Sequence, residues 1–375
     1  MQEAERIIGL DALRVLVTFL GIVLHAGVAY MVHPPAYWIT ADSVRNISFD
    51  LLAFILHSFR NEVYFIIAGF CANLLFHKGL RYFIQSRIRY IVIPFVIFCP
   101  VMGMIIPMAA GYAPFSFIEL QPYHLWSLYY LFIYYIVVVL GVKLSKKLNI
   151  DTTKINNYFV NIVQSKYRIW VLALFVLPPL AFMRTPIVDI AIGPPFAPII
   201  IYYAFFFCFG WLLYLNQALF TVFSQHRIKF LVLAIILSIM LANSLAGENV
   251  FANGVHNPSL LFRYFCAVMT WLFIFSIFGI MQEKFQQPSK RMRYLADATY
   301  WIYIAHLPLI VLQQHILNQV SLPIPIKFVL IVIATTTVLL ISYHYLVRPM
   351  SQRNWYLDEI RINWNKRSRV IREEL

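Results

Sequence analysis

An apolar stretch near the N-terminus carries residues that could do chemistry inside a membrane. It runs from Leu10 to Tyr30 and contains Asp11, Arg14 and His25. Charged and titratable groups are expensive in lipid and are usually functional there. On a helix, eleven residues at roughly 100° and about 1.5 Å each bring His25 to within about 20° of Arg14 and roughly 16 Å deeper. We interpret the pair as a surface anchor and a reactive group near the middle of the bilayer.

The composition is that of a polytopic membrane protein. Hydrophobic residues make up 61% of the chain and charged residues only 12%, whereas soluble domains carry about 25% charged residues. The formal net charge of +14 could suggest a nucleic-acid partner. However, the basic residues are confined to short segments between long apolar runs, which is the positive-inside pattern of membrane proteins. The sequence therefore predicts a bilayer environment and no nucleic-acid partner.

Stretches of about 20 apolar residues predict an all-α fold with about ten transmembrane helices. Alternate connections hold almost all of the Lys and Arg residues, and the opposite side keeps only Arg45, Arg60, Arg184, Arg263 and Lys327. This asymmetry predicts that both termini are cytoplasmic. The predicted spans are 10–32, 51–76, 91–111, 124–142, 169–184, 198–222, 229–246, 260–281, 298–316 and 325–347.

The predicted spans form one membrane domain, residues 1–350, followed by a cytoplasmic tail, residues 351–375. In the tail, Trp355, Ile360, Trp364 and Ile371 alternate with basic residues. A basic amphipathic helix of this kind binds the surface of an anionic leaflet.

Four further polar residues lie at or near membrane depth: His57, Arg60, His124 and His306. A single histidine in a helical bundle is more often an interhelical hydrogen-bond donor than a catalyst, and this structural interpretation is favoured for His57 and His306 taken separately. Each such group is costly near the centre of the bilayer unless it is paired, so several of them in one chain indicate a functional site. Because His57 and Arg60 lie in the outer half of the second span and His124 begins the fourth, we expect a polar cavity that opens outward.

Arg87 and Arg89 lie immediately before the third predicted span. Arginines at this position serve as topological anchors in most membrane proteins, and their guanidinium forks also bind phosphate groups. Their spacing alone does not choose between these two roles.

The buried polar residues discriminate between three functional classes. The chain contains no HExxH, GxSxG, Walker, dinucleotide-glycine or CxxC motif, so no metal site is predicted and ATP-driven transport and Rossmann redox chemistry lose support. A transporter or flippase for a glycan or an anionic small molecule would also line its path with Arg, His and Glu. A structural scaffold would leave these groups unexplained, and a membrane-embedded enzyme would use them.

Six stretches resemble the acyltransferase 3 family of integral-membrane acyltransferases. Two of them, HSFRNEVYFIIAGF and HLWSLYYL, are most similar to the glucans biosynthesis protein C branch. In order, the six are LDALRVLVTFLGIVLHAG (10–27), HSFRNEVYFIIAGF (57–70), SRIRYIVIP (86–94), HLWSLYYL (124–131), ATYWIYIAHLPL (298–309) and SYHYLVRP (342–349). The resemblance implies about ten core helices in a bacterial inner membrane, an acyl-CoA donor (acetyl-CoA or succinyl-CoA) in the cytoplasm, and a carbohydrate hydroxyl as the acceptor outside.

The resemblance also implies roles for particular residues. The catalytic set is His25, Arg14, Arg60 and His124, and the donor-binding set is Arg14, Arg87 and Arg89. Arg87 matches the first arginine of the family's cytoplasmic RxxR pattern, but the second arginine is here Tyr90, with Arg89 shifted by one position. The glutamate that precedes the late RP motif in many members is here Val347. The departure at Tyr90 weakens the donor-phosphate assignment.

Acyl transfer to a hydroxyl gives His25 two alternative roles. The imidazole could act as a general base toward the acceptor hydroxyl, or it could take the acyl group first as a covalent acyl-histidine. The sequence alone does not distinguish between these two roles.

Overall fold

A computed structural model describes residues 3–350, apart from 36, 114–121, 184, 186–195, 245–257 and 288. These residues form an all-α bundle without a described β-strand. Two π-helical turns, Ile88–Val92 and Tyr343–Val347, interrupt the α-helices. The helices are α1 (Glu3–Val28), α2 (Ile47–His57), α3 (Arg60–Phe76), α4 (Leu80–Arg87), α5 (Ile93–Ala109), α6 (Trp126–Lys147), α7 (Thr152–Gln164), α8 (Arg168–Ala181), α9 (Ala197–Leu215), α10 (Phe220–Ser224), α11 (Arg227–Ser244), α12 (Leu260–Lys284), α13 (Lys290–Leu317), α14 (Ile324–Ser342) and α15 (Arg348–Met350).

Nine helical segments among the described residues are long and apolar enough to cross a bilayer, which confirms the predicted polytopic α-helical fold. The fifth predicted span, 169–184, corresponds to α8. Its 14 residues extend about 21 Å, which is less than the roughly 30 Å hydrocarbon core of a bilayer. The predicted tail, 351–375, lies outside the described residues.

The short helix α8 pairs with α9 in opposite directions. Arg168, at the start of α8, donates to the Gln225 side chain at 3.4 Å, beyond the end of α9. The start of α8 therefore lies beside the connection that follows α9, as expected for two antiparallel helices. Arg263 of α12, which is 1% exposed, donates to three carbonyls near the far end of α8, those of Leu180, Met183 and Thr185, at 2.6–2.9 Å. Because these bonds satisfy carbonyl groups near the C-terminus of α8, Arg263 has a structural role.

The second predicted span is broken into α2 and α3 at Ser58 and Phe59. The Ser58 hydroxyl donates to the Ile55 carbonyl at 2.8 Å, a local bond that competes with helix propagation. The Ser58 carbonyl in turn accepts from the Thr270 hydroxyl of α12 at 2.7 Å. The break lies directly before Arg60, so it sets the direction in which α3 begins.

The helix that contains the ninth predicted span begins eight residues earlier than expected, at Lys290 rather than 298. Its N-cap is Ser289, whose hydroxyl accepts from the Met292 amide at 3.4 Å. Asp297 and Thr299, either of which could cap a helix that begins at 298, lie within α13 and do not cap it.

Helices α3 and α9 approach closely through two glycines. A Cβ atom added at Gly69 would overlap the Phe207 carbonyl oxygen, and one added at Gly210 would overlap the Ile66 carbonyl oxygen. Small residues allow this approach in membranes, where packing rather than hydrophobicity drives helix association. The Asn73 amide adds a hydrogen bond to the Trp211 carbonyl at 2.8 Å. This contact fixes α3, and with it Arg60.

Polar contacts anchor the loop after α1 at the end of the bundle where His25 lies. Lys327, at the start of α14, donates to the Asp42 carboxylate at 2.7 Å, and both side chains are buried. The Asp50 carboxylate of α2 accepts from the backbone amides of Val32 and His33 at 2.8 and 3.0 Å. These bonds hold the loop against the end of α1 that carries His25.

Candidate active site

A cavity lies at the end of the bundle opposite to Arg14. It has an empty volume of ≈ 770 Å³, including its open mouth. Helices α1, α2, α3, α5 and α13, the loop after α1 and the start of α6 all contribute to its wall. The polar and aromatic side chains of the lining are His25, Tyr37, Trp38, His57, Arg60, Asn61, Tyr123, His124 and Trp126. Three of the four predicted catalytic residues, His25, Arg60 and His124, therefore share one cavity.

His25 is held between a histidine and a tryptophan. Its Nδ1 lies 2.8 Å from Nε2 of His306, and its ring stacks on Trp38 with a centroid distance of 5.7 Å. No hydrogen-bond partner of Nε2 is present among the described residues. One ring nitrogen is thus engaged by the protein and the other is left for a substrate.

His124 is oriented by a carbonyl group that a proline frees. Pro308 of α13 has no amide hydrogen, so the Ile304 carbonyl four residues earlier lacks its helical donor. Nε2 of His124 lies 2.9 Å from this oxygen. Because a carbonyl only accepts, Nε2 carries the proton in neutral His124 and Nδ1 holds a lone pair. This Nδ1 is buried without a partner, so it can accept a hydrogen bond from a bound hydroxyl.

Arg60 contributes a cation that makes no direct ion pair among the described residues. Its guanidinium makes no hydrogen bond or ion pair within the described part of the chain, and its Nε is buried and unpartnered. The nearby carboxylate of Glu62, which is fully buried, accepts instead from the Tyr202 hydroxyl at 3.0 Å. A desolvated cation strongly favours an anion or a developing negative charge beside it.

We expect Gly21→Ala to impair Arg60 without unfolding the protein. A Cβ at Gly21 would lie 2.6 Å from Nη1 of Arg60, which is the far end of a flexible side chain and can move aside. A displacement of about 1 Å in an active site costs up to roughly a hundredfold in rate. Steady-state kinetics should show a lower kcat at an unchanged melting temperature, and full activity in this variant would exclude a precise role for Arg60.

The predicted donor-binding arginines differ in their surroundings. Arg14 donates to the Ala296 carbonyl at 3.0 Å and pairs with Asp11 at 3.1 Å. Arg87 is half-buried, with its guanidinium 5.3 Å from the centroid of the Tyr135 ring. Arg89 is exposed and lies over the ring of its neighbour Tyr90 at 5.7 Å. Arg87 therefore faces the bundle and Arg89 faces outward.

The π-helical turn between α4 and α5 ties Tyr90 to α13. Pro94 removes the amide hydrogen that would bond the Tyr90 carbonyl, and the Tyr300 hydroxyl donates to this oxygen at 2.6 Å. Tyr90, which stands where the family's pattern has its second arginine, is thus bound to α13 through its backbone carbonyl. π-Helical turns are frequent at functional sites.

Gln314 connects the loop after α1 to the backbone at His25. Its Oε1 accepts from the Trp38 indole at 3.2 Å and from the Thr40 hydroxyl at 2.6 Å. Its Nε2 donates to the carbonyls of His25 and Ala26 at 3.0 and 3.2 Å. This amide is completely used, so it holds Trp38 over the His25 ring.

Sequence reasoning missed His306, Trp38 and Gln314 as parts of the site. The ATYWIYIAHLPL stretch gives His306 a signal, but a single histidine in a helical bundle favours a structural role. Trp38 has the signal of an aromatic residue in an outer loop, which suits a sugar and interfacial anchoring alike, and Gln314 has no signal in the sequence. Tyr37, also in the cavity wall, is half-buried, and desolvation raises the pKa of its hydroxyl, so it is protonated at neutral pH and can donate.

The helical bundle and its polar cavity define a multi-pass membrane protein with groups suited to acyl transfer. The family model of the acyltransferase domain, Acyl_transf_3, matches residues 7–344, and the chain therefore belongs to this family. It is an acyltransferase that transfers a group other than an aminoacyl group. No curated protein and no solved structure matched the chain. No group of three or more potential metal ligands occurs among the described residues.

Proposed function

We propose that the protein transfers an acyl group from cytoplasmic acyl-CoA to a hydroxyl of a periplasmic or cell-surface carbohydrate. One observation carries this proposal: His25 lines the cavity with one ring nitrogen bonded to His306 and the other without a partner among the described residues. Acetyl and succinyl groups are the candidate acyl groups, and a glucan is the candidate acceptor on the basis of the branch resemblance. The proposed location is a bacterial inner membrane.

The character of the cavity supports a carbohydrate acceptor. Trp38, Tyr37, Tyr123 and Trp126 contribute aromatic rings, against which the apolar faces of a sugar can pack. A few convergent polar groups then fix orientation, as in other small-molecule sites. Nδ1 of His124 can accept from a sugar hydroxyl, because it is a buried acceptor without a partner among the described residues.

The arginines at the other end of the bundle support a donor with phosphate groups. Arg14 and His25 lie on one continuous helix, about 16 Å apart along its axis at 1.5 Å per residue. Arg14 and Arg87 can hold the nucleotide while the pantetheine arm extends toward His25. Guanidinium groups bind phosphates bidentately, so both would lower the dissociation constant of the donor.

Two routes of transfer fit this geometry. As a base, His25 takes the hydroxyl proton while the acceptor oxygen attacks the thioester carbonyl, the C–S bond breaks and CoA leaves as a thiolate that takes up the proton. As a carrier, Nε2 of His25 attacks first, CoA leaves as the thiolate, and the hydroxyl then displaces the imidazole, its proton passing to the thiolate through solvent. In both routes Arg60 stabilises the negative charge that develops on the carbonyl oxygen.

An assay of CoA release tests the proposal. Purified protein is incubated with radiolabelled acetyl-CoA or succinyl-CoA, with and without a periplasmic glucan preparation. We expect release of CoA and transfer of label to the glucan. If label remains on His25 when the acceptor is omitted, the carrier route applies. No CoA release with any acceptor tested would contradict the proposal and favour transport.

Arg14→Ala is expected to weaken donor binding. Loss of one charge-assisted contact to phosphate, worth about 1.5–3 kcal/mol, corresponds to a rise of roughly 10- to 150-fold in KM for acyl-CoA. The value of kcat should change much less. Arg81→Ala, at an exposed arginine on the same side, is the matched control. Equal KM values in both variants would remove Arg14 from the donor site.

A further inference from the structure

His306 is the one side chain that hydrogen-bonds to the imidazole ring of the proposed reactive histidine within the described part of the chain. It is 4% exposed and projects from α13 toward α1. Its Nε2 lies 2.8 Å from Nδ1 of His25, and the two ring planes are 14° apart. This distance is short for a nitrogen–nitrogen contact, so one of the two nitrogens carries a proton and the other a lone pair.

The other nitrogen of His306 decides which of the two donates. Nδ1 of His306 lies 2.8 Å from the Tyr303 carbonyl oxygen and 3.0 Å from the Ile302 carbonyl oxygen. Carbonyl oxygens only accept hydrogen bonds, so Nδ1 of His306 must carry a proton. In a neutral imidazole the second nitrogen, Nε2, is then an acceptor. His25 therefore donates from Nδ1, and its Nε2 keeps the lone pair.

A doubly protonated His306 would reverse this direction, but its surroundings disfavour it. The ring is buried, no carboxylate pairs with it among the described residues, and the cation of Arg60 lies in the adjacent cavity wall and acts against a second positive charge. A second buried cation without a partner is costly. In the neutral form, Nδ1–H of His306 donates to the carbonyls of α13 and Nε2 accepts from His25, so both ring nitrogens have a hydrogen-bond partner.

We propose that His306 is a positioning residue that selects Nε2 of His25 as the reacting nitrogen. The inference rests on the proposed function only for its kinetic consequence, because the tautomer of His25 is a property of the resting protein. An orienting carboxylate, as in a Ser-His-Asp triad, brings a negative charge. His306 orients as a neutral acceptor, and its direction is fixed by the backbone of α13.

The kinetic test compares two substitutions at the same position. His306→Gln offers a carbonyl oxygen near the position of the original Nε2 and keeps an acceptor, whereas His306→Leu removes it. We expect His306→Leu to lower kcat by roughly 10²- to 10⁴-fold, since a wrong tautomer costs up to about 10⁴ in a related arrangement, with little change in KM for acyl-CoA. His306→Gln should retain at least about ten times the kcat of His306→Leu. His315→Leu, at a half-buried histidine of α13 outside the cavity wall, should keep the wild-type kcat.

A spectroscopic test needs no activity. ¹⁵N-histidine NMR of the full chain in nanodiscs reports the tautomer of His25, whose signals are identified by their absence in His25→Ala. We expect the Nδ1–H tautomer in the wild type and in His306→Gln, and a mixture in His306→Leu. An Nε2–H tautomer in the wild type, or equal kcat values in the folded Gln and Leu variants, would overturn the inference. If the wild type shows the Nδ1–H tautomer but transfers no acyl group, the proposed function falls and the role of His306 as the residue that fixes the tautomer stands.

Discussion

Replacing His25 with alanine is expected to abolish acyl transfer while the protein stays folded in the membrane. Loss of a general base lowers a rate by roughly 10²- to 10⁴-fold, and loss of a covalent carrier removes the transfer step altogether. The fold should survive, because the His25 side chain makes a single hydrogen bond among the described residues, to His306. CoA release by the purified variant, beside its melting temperature in detergent, measures both effects.

The matched control for this variant is His315→Ala, which removes another half-buried histidine that lies outside the cavity wall. It should release CoA at the wild-type rate. If His25→Ala were folded and comparably active, His25 would be neither base nor carrier, and the proposed chemistry would need another residue.

Replacing Gly210 with alanine should prevent stable packing of α3 against α9. The added Cβ would overlap the backbone carbonyl oxygen of Ile66, and a backbone cannot move aside as the end of a side chain can. Overpacking of a core typically costs about 1–3 kcal/mol, and we expect the upper part of this range or more. The measurements are the yield of monodisperse protein and its melting temperature in detergent.

Gly141→Ala is the control for Gly210→Ala. A Cβ at Gly141 meets no atom within 4 Å, so this substitution in α6 should be neutral or stabilise the helix by about 0.5–1 kcal/mol. Gly69→Ala should reproduce the effect of Gly210→Ala, because the two contacts are reciprocal. An unchanged melting temperature in Gly210→Ala would show that α3 and α9 lie farther apart in the protein than in the structure.

The membrane fold could be predicted because its signals are local. Each apolar run needs only its own residues to indicate a span, and this suffices for the crossing segments that the structure describes. The interruptions were not predictable from hydropathy. The break at Ser58 depends on a hydroxyl of α12, and the early start of α13 depends on Ser289, a polar residue in a segment that hydropathy reads as a connection.

The site was predictable where its residues lie in apolar runs. His25, Arg60 and His124 stand out against such runs, and the cavity brings all three together. His306 stands out equally, but its role depends on a distance to α1 that no sequence pattern reports. Gln314 and Trp38 are ordinary residues until the loop after α1 folds back, since their function is carried by hydrogen bonds between distant parts of the chain.

Transfer across a sealed membrane tests the central claim most directly. The protein is reconstituted into vesicles that contain a trapped glucan preparation, and radiolabelled acyl-CoA, which does not cross the bilayer, is added outside. Molecules whose Arg14 end faces outward can use this donor. We predict label on the trapped glucan with the wild type and none with His25→Ala. Label confined to glucan on the donor's side, or equal labelling of trapped glucan by both proteins, would contradict acyl transfer through His25 from one face of the membrane to the other.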